Sequence, residues 1–281
     1  MATNWRSWLS RFQPPAYARR PPLVLINGLA EQAESWFCNQ RFWRRYFDVQ
    51  MPNILHYEGA ALHQRIDAGL PISVDYLVEQ LHLFLDRFVQ TPPYHLVASS
   101  LGGKVAVEYA VRYPDEVARM VLLCPSGLGD AERLPIVEGV CRGDVQALVE
   151  SVFHDARCLK DQGLLDYYRR QFASRRWRTG LLRTVRGTRA HTVRDLLPRV
   201  TQPTLLIAGR DDRIVDPAHA EEAARLLPNG HFLSIPQCGH APHIERAGMV
   251  NRLVVRFLTG ARPAVRPHPT QGLLSRLTAL L

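Results

Sequence analysis

Short apolar runs alternate with segments of helical periodicity along most of this chain, and that alternation narrows its fold more than any other feature. Residues 23–27 (LVLIN), 94–99 (YHLVAS), 117–124 (VARMVLLC), 204–209 (TLLIAG) and 231–236 (HFLSIP) read as buried strands. Residues 74–88, 101–113, 218–228 and about 242–258 carry apolar residues at helical spacing, and Pro114 and Pro228 stop two of these segments. Successive parallel strands need a long crossover, usually a helix. The order therefore predicts an α/β fold, a mostly parallel sheet flanked by helices on both faces. The rhythm breaks once. Between Cys124 and Thr204 only polar helical patterns occur. Residues 126–197 are expected to form a helical insertion, with residues 1–125 and 198–281 making the sheet domain.

The charge balance raises a competing idea. Of 35 Lys plus Arg, only Lys104 and Lys160 are lysine, and against 26 Asp plus Glu the net charge is +9. Such an excess suits nucleic acid or an acidic membrane. Its location argues otherwise. Residues 169–199 hold ten Arg and one acid, Asp195, so the rest of the chain is neutral. That stretch has three readings: a solvated helical face, an attractor for carboxylate-bearing substrates, or a nucleic-acid or lipid-headgroup surface. The first is the simplest, and the aromatics nearby (Tyr167, Tyr168, Phe172, Trp177) read as packing rather than as a base-stacking platform. Nucleic acid is not an expected partner.

Other classes fall on composition. An apolar content of 46% excludes a disordered chain. Five cysteines with no Cys-x-x-Cys pair point away from a disulfide scaffold and from thiol-bound zinc, and suggest reduced thiols in the cytoplasm. No run of 18 apolar residues occurs, so no spanning helix is expected. The first 15 residues lack a secretory pattern. Residues 272–281 (GLLSRLTALL) read as a docked or frayed terminal helix, with a membrane-surface anchor the alternative. No metal or cofactor is expected.

Chemistry concentrates where strands end. In ASSLGG, residues 98–103, a buried strand turns directly into a helix. A nucleophile held there sits on a sharp turn whose strain tolerates only small residues two before and two after it. Ser100 meets the rule with Ala98 and Gly102; Ser99 would place Val97 and Leu101 at those positions. The plainer alternative is an N-cap serine followed by a glycine pair. A serine hydroxyl needs a base within hydrogen-bond reach and an acid behind that base. The strand 204–209 runs into Asp211 and Asp212, and the strand 231–236 runs into His240. The order Ser, Asp, His is the one such an elbow requires. The amide of Leu101, opening the helix, is a natural oxyanion donor.

These residues resemble the α/β-hydrolase superfamily over most of residues 23–258. The resemblance places the acid of GRDDRIV on Asp212, with Asp211 a solvated neighbour and Asp216 a helix cap. It places the base of CGHAPHIE on His240, with His243 the second choice. Family members commonly carry His-Gly after the first of these strands. Here the residues are Asn27-Gly28-Leu29, which makes the Leu29 amide the second oxyanion donor and gives Gly28 the turn. A strand pair usually precedes that strand, and only about 22 residues do so here, so a sheet of about six to eight strands is expected, six if it is shortened. In the family a helical cap at the position of residues 126–197 covers the site.

The resemblance implies a serine esterase that hydrolyses small carboxylic esters through an acyl-enzyme. CPSGLGD at the insertion's entrance resembles meta-cleavage-product hydrolases, which makes carbon–carbon hydrolysis of vinylogous diketone acids the alternative. A non-catalytic ligand-binding member of the fold is the third reading. Ser100 sets the chain apart from the dehalogenases and epoxide hydrolases, whose nucleophile is Asp.

Overall fold

The computed structural model describes residues 20–129, 137, 139 and 142–260. The expected terminal helix over 272–281 and the first 15 residues lie outside that set. Six parallel strands form one sheet: β1 (Pro22–Ile26), β2 (Asp48–Gln50), β3 (Tyr94–Ser99), β4 (Val117–Leu123), β5 (Thr204–Gly209) and β6 (Gly230–Ile235), in the spatial order β2-β1-β3-β4-β5-β6. Five of them fall where apolar runs predict. β2 escapes the sequence because an edge strand of three residues, DVQ, is too short to show a period.

Alternation along the strands explains the two faces. Leu23 and Leu25 of β1 pack on one side with Trp36, Trp43 and helix 247–258; Val24 and Ile26 pack on the other with helices 74–84 and 101–112. We number the longer helices α1 (Ala60–Asp67), α2 (Val74–Phe84), α3 (Leu101–Arg112), α4 (Val145–Val152), α5 (Gln162–Ala173), α6 (Arg175–Thr188), α7 (Pro217–Leu226) and α8 (Ala247–Leu258). The helix expected over 242–258 is two pieces, Pro242–Glu245 and α8, because Arg246 leaves helical dihedrals (φ −126°, ψ 36°).

The chain leaves β1 toward β2 on one side and returns to β3 on the other. The crevice outside the carboxyl ends of β1 and β3 is therefore a topological switch point, where this architecture places its sites. α3 is buried from Leu101 to Ala110. Even Lys104 is 2% exposed, its Nζ donating to the Thr188 carbonyl at the end of α6 (3.0 Å).

Between β4 and β5 the described residues form helices α4, α5 and α6, a four-residue helix, Ala156–Leu159, and a 3-10 segment, Arg194–Arg199, with no strand. Their apolar side chains join the same buried cluster as α2 and α3. Trp177 of α6 is fully buried, edge-on to Tyr57 (6.1 Å) and tilted on Phe172 (5.5 Å). None of the ten arginines of residues 169–199 is buried. Arg169 pairs with Asp166 (2.7 Å), Arg194 with Glu222 (3.1 Å) and Arg176 with Asp67 (3.7 Å). Replacing Trp177 by Ala should lower the free energy of unfolding by about 3–5 kcal/mol, read as a lower urea midpoint at unchanged slope.

Candidate active site

Ser100 follows β3 and precedes α3 at φ 47°, ψ −115°. A non-glycine residue is held in that sparsely populated region only by its surroundings. Its N–H donates to the Leu123 carbonyl of β4 (2.9 Å), and its carbonyl accepts from Gly103 (2.8 Å) and Ser126 (3.1 Å). The demand for small flanks has a measurable origin. A Cβ on Gly102 would lie 2.5 Å from the Ile26 carbonyl oxygen and 2.8 Å from that of Asn27. Ala98, on the other flank, is fully buried opposite Ile26 of β1.

The three residues drawn from separate strand ends meet. His240 Nε2 lies 2.9 Å from Ser100 Oγ, and His240 Nδ1 lies 2.8 Å from Asp212 Oδ2. The side chains of His240 and Asp212 are 7% and 1% exposed, so water competes little for these bonds. Asp212 Oδ1 accepts from the backbone of Ile214 (2.8 Å) and Val215 (3.1 Å). Burial alone would push this carboxyl up; His240 and the two backbone donors outweigh it and hold it below the usual carboxylate range. With Asp212 ionised, Nδ1 carries the imidazole proton and Nε2 is free to accept one from the serine hydroxyl.

The remaining candidates separate by environment. Asp212, not Asp211, takes His240 Nδ1, while Asp211 donates its backbone N–H to Cys238 (2.9 Å). Asp216 caps α7 through the Ala218 N–H (2.9 Å). His243 is fully buried on Trp36 (ring centroids 4.7 Å apart), and neither ring nitrogen has a hydrogen-bond partner among the described residues. Leu101 opens α3, so its N–H belongs to the first helical turn and lacks an intrahelical acceptor. Leu29 lies in the loop above β1. Gly28 opens the turn, its carbonyl accepting the Glu31 N–H (3.3 Å), while the left-handed residue is Ala30 (φ 64°); Gly28 also supplies room, because a Cβ there would lie 2.9 Å from Ser100 Cβ.

Cys124, at the end of β4, completes the one group of potential metal ligands among the described residues, its sulfur within 4.8 Å of ligand atoms of Asp212 and His240. Burial raises its thiol well above the ordinary value, and its sulfur accepts the Gly209 N–H (3.4 Å). The other two members are already engaged, Asp212 with His240 and His240 with Ser100.

Two carboxylates escaped sequence reasoning. Glu245 is 6% exposed and accepts from the N–H of Gly239, His154 and Asp155, each at 2.8 Å. With the His240 N–H donating to Val152 of α4 (2.8 Å), it ties the histidine loop to the insertion. Its place within CGHAPHIE was the available signal. Glu31 accepts from Gly28 N–H (2.7 Å) and from Ser99 Oγ (3.0 Å). Burial pushes the phenols of Tyr168 and Tyr167 on α5 up, and the Glu31 charge adds to it; Tyr168 and Ala30 of the loop above β1 belong to the same buried cluster.

A family model described as "alpha/beta hydrolase fold" matches residues 21–247. The chain belongs to the α/β-hydrolase family. Human monoacylglycerol lipase ABHD6 is 23% identical to this hydrolase over 267 residues, covering 85% of this chain and 75% of that protein. A crystal structure of a bacterial membrane phospholipase A is similar at TM-score 0.73 and 26% identity, covering 87% of this chain and 80% of that one. The enol-lactonase of Burkholderia xenovorans LB400 shares the fold at TM-score 0.73 and 19% identity, covering 87% and 94%.

Two substitutions test this packing. Gly102→Ala should destabilise the hydrolase by about 3 kcal/mol, since only backbone lies in the way of the new methyl; chemical denaturation reads it. Burial lowers His243 below the ordinary 6.5, so the unfolded chain takes up a proton that the folded chain refuses. Stability from this group is complete above pH 6.5 and declines as pH falls toward the folded value. His95, pushed down to about 4 by burial and Arg119, acts in the same direction. His243→Phe should therefore reduce, without abolishing, the slope of melting temperature against pH on the acid side.

Proposed function

We propose that this hydrolase cleaves carboxylic esters through an acyl-enzyme formed on Ser100. The observation that carries the reading is the unbroken chain of hydrogen bonds from Ser100 Oγ through His240 to Asp212, at 2.9 and 2.8 Å. Ser100 Oγ attacks the ester carbonyl as His240 Nε2 takes its proton. Asp212 stabilises the imidazolium and fixes the ring's orientation. The N–H groups of Leu101 and Leu29 receive the negative charge that develops on the carbonyl oxygen. His240 returns the proton to the leaving alcohol, then takes one from water, which attacks the acyl group. The acid departs and Ser100 is restored.

Residues 126–197 act as a cap on a core made of 1–125 and 198–281. The end of α4 supports the histidine loop, and α5 shares a buried cluster with Ala30 of the loop above β1, so the insertion borders the site and selects the acyl group. The lipase and phospholipase relatives make acyl esters the first substrates to try. The exposed arginines belong to the solvated outer face of the cap.

Ser100→Ala should lower turnover of p-nitrophenyl esters by about 10⁴-fold or more while leaving the melting curve unchanged. Asp212→Asn, which favours the wrong imidazole tautomer, should cost about 10³–10⁴-fold in kcat. A profile over acyl chain lengths and a monoacylglycerol identifies the preferred ester, and a ring-fission dienoate in the same assay tests carbon–carbon cleavage. Undiminished ester turnover by Ser100→Ala would overturn the proposal.

A further inference from the structure

We infer that Glu31 is a positioning residue for the oxyanion hole: its side chain straps the loop above β1 to the residue before the nucleophile. The inference rests on the serine-hydrolase reading and adds a residue to that site.

The loop has little intrinsic reason to hold one shape. It leaves β1 at Ile26, passes through Asn27-Gly28-Leu29, and reaches Ala30 in the left-handed region (φ 64°), where a side chain is rare. Glu31 fixes Gly28 from both ends. Its Oε2 accepts the Gly28 N–H (2.7 Å), and its backbone N–H donates to the Gly28 carbonyl (3.3 Å). The second bond sets the direction of the Gly28–Leu29 peptide. In a trans peptide the C=O and N–H point to opposite sides. With the Gly28 carbonyl turned toward Glu31, the Leu29 N–H is turned away from it, unable to bond its own loop there. That N–H is the proposed second donor to the oxyanion.

The other half of the strap reaches the nucleophile elbow. Glu31 Oε1 accepts from Ser99 Oγ (3.0 Å), and Ser99 is fully buried beside Ser100. One carboxylate thus ties both sides of the oxyanion hole, the loop carrying Leu29 and the turn that leads into Leu101. It also accounts for the second serine of ASSLGG, whose hydroxyl serves the loop rather than the substrate. The close approach of Gly28 to Ser100 leaves the loop no slack, since even a methyl there would meet Ser100 Cβ at 2.9 Å. Oxyanion stabilisation depends on donors placed before charge develops, so loosening the strap should weaken the transition state more than the bound substrate.

The test compares Glu31→Ala, Glu31→Gln and Ser99→Ala with Ser100→Ala on the preferred p-nitrophenyl ester. Glu31→Ala should lower kcat roughly 10–100-fold, less than outright removal of a donor, with KM within about 2-fold because the loop holds only the transition state. Affinity for a trifluoromethyl ketone analogue of the substrate should fall in parallel. Glu31→Gln can still accept from Gly28 and donate to Ser99, and should restore kcat to within about 3-fold of the parent. Ser99→Ala, which leaves the Gly28 bond in place, should show a smaller loss with the same kcat signature, and it carries the test if Glu31→Ala does not fold. An inactive Ser100→Ala beside fully active Glu31→Ala and Ser99→Ala overturns the strap alone. So does a loss confined to KM, or one that Glu31→Gln fails to restore. Full activity of Ser100→Ala overturns the serine-hydrolase reading itself.

Discussion

Ser100 occupies a backbone conformation that costs on the order of 1–3 kcal/mol, and the neighbouring structure is arranged so that it has no cheaper alternative. Relaxing the turn would break the bond from its N–H to Leu123 on β4. It would also pull α3 away from β1, whose Ile26 and Asn27 carbonyls lie against Gly102. The turn is therefore braced by both neighbouring strands of β3. Because β1, β3 and β4 are parallel and in register there, the bracing is a property of the sheet rather than of the local sequence.

The rest of the site is held by carboxylates placed where backbone N–H groups converge. Asp212 receives two of them besides the imidazole, Glu245 receives three, and Glu31 receives one together with the Ser99 hydroxyl. Bonds to an ionised acceptor are roughly twice as strong as neutral ones. Gly28, Ser99 and Gly239 among the donors are buried, and a buried donor left without its acceptor is expensive. Glu245 further makes the insertion part of the site's scaffold. It joins Gly239, next to His240, to His154 and Asp155 beyond α4. A displacement of the insertion would therefore be felt at His240. The continuity of the buried cluster from α2 and α3 into Trp177 and Phe172 has the same consequence.

Much of this hydrolase was legible in its residues. Five strands, the helices before and after β3 and after β5, and the strand-to-helix turn at Ser100 could be read because each depends on a local pattern; the family resemblance singled out Asp212 and His240. The patterns are an apolar run of five or six residues, a 3.6-residue period, or small residues at fixed offsets. β2 could not be read, since three residues show no period. The break at Arg246 had no glycine or proline at the position itself to announce it. Gly28 was recognised for the turn but not for the room it supplies, because the atom that forbids a side chain there belongs to Ser100, 72 positions away in sequence.

The sequence by itself determined the fold class and the candidate residues, since burial on one face or both leaves its period in the chain and a strained turn leaves its small flanks. Only the tertiary structure decided which groups touch. It brought His240 within hydrogen-bond reach of Ser100 and Asp212, placed His243 against Trp36, gave Ser99 to Glu31, and made Glu245 the link between the His240 loop and the residues after α4. The reason is one of range. Hydrogen bonds act over about 3 Å, and which donors come that close is fixed by the packing of distant segments, which no local pattern encodes.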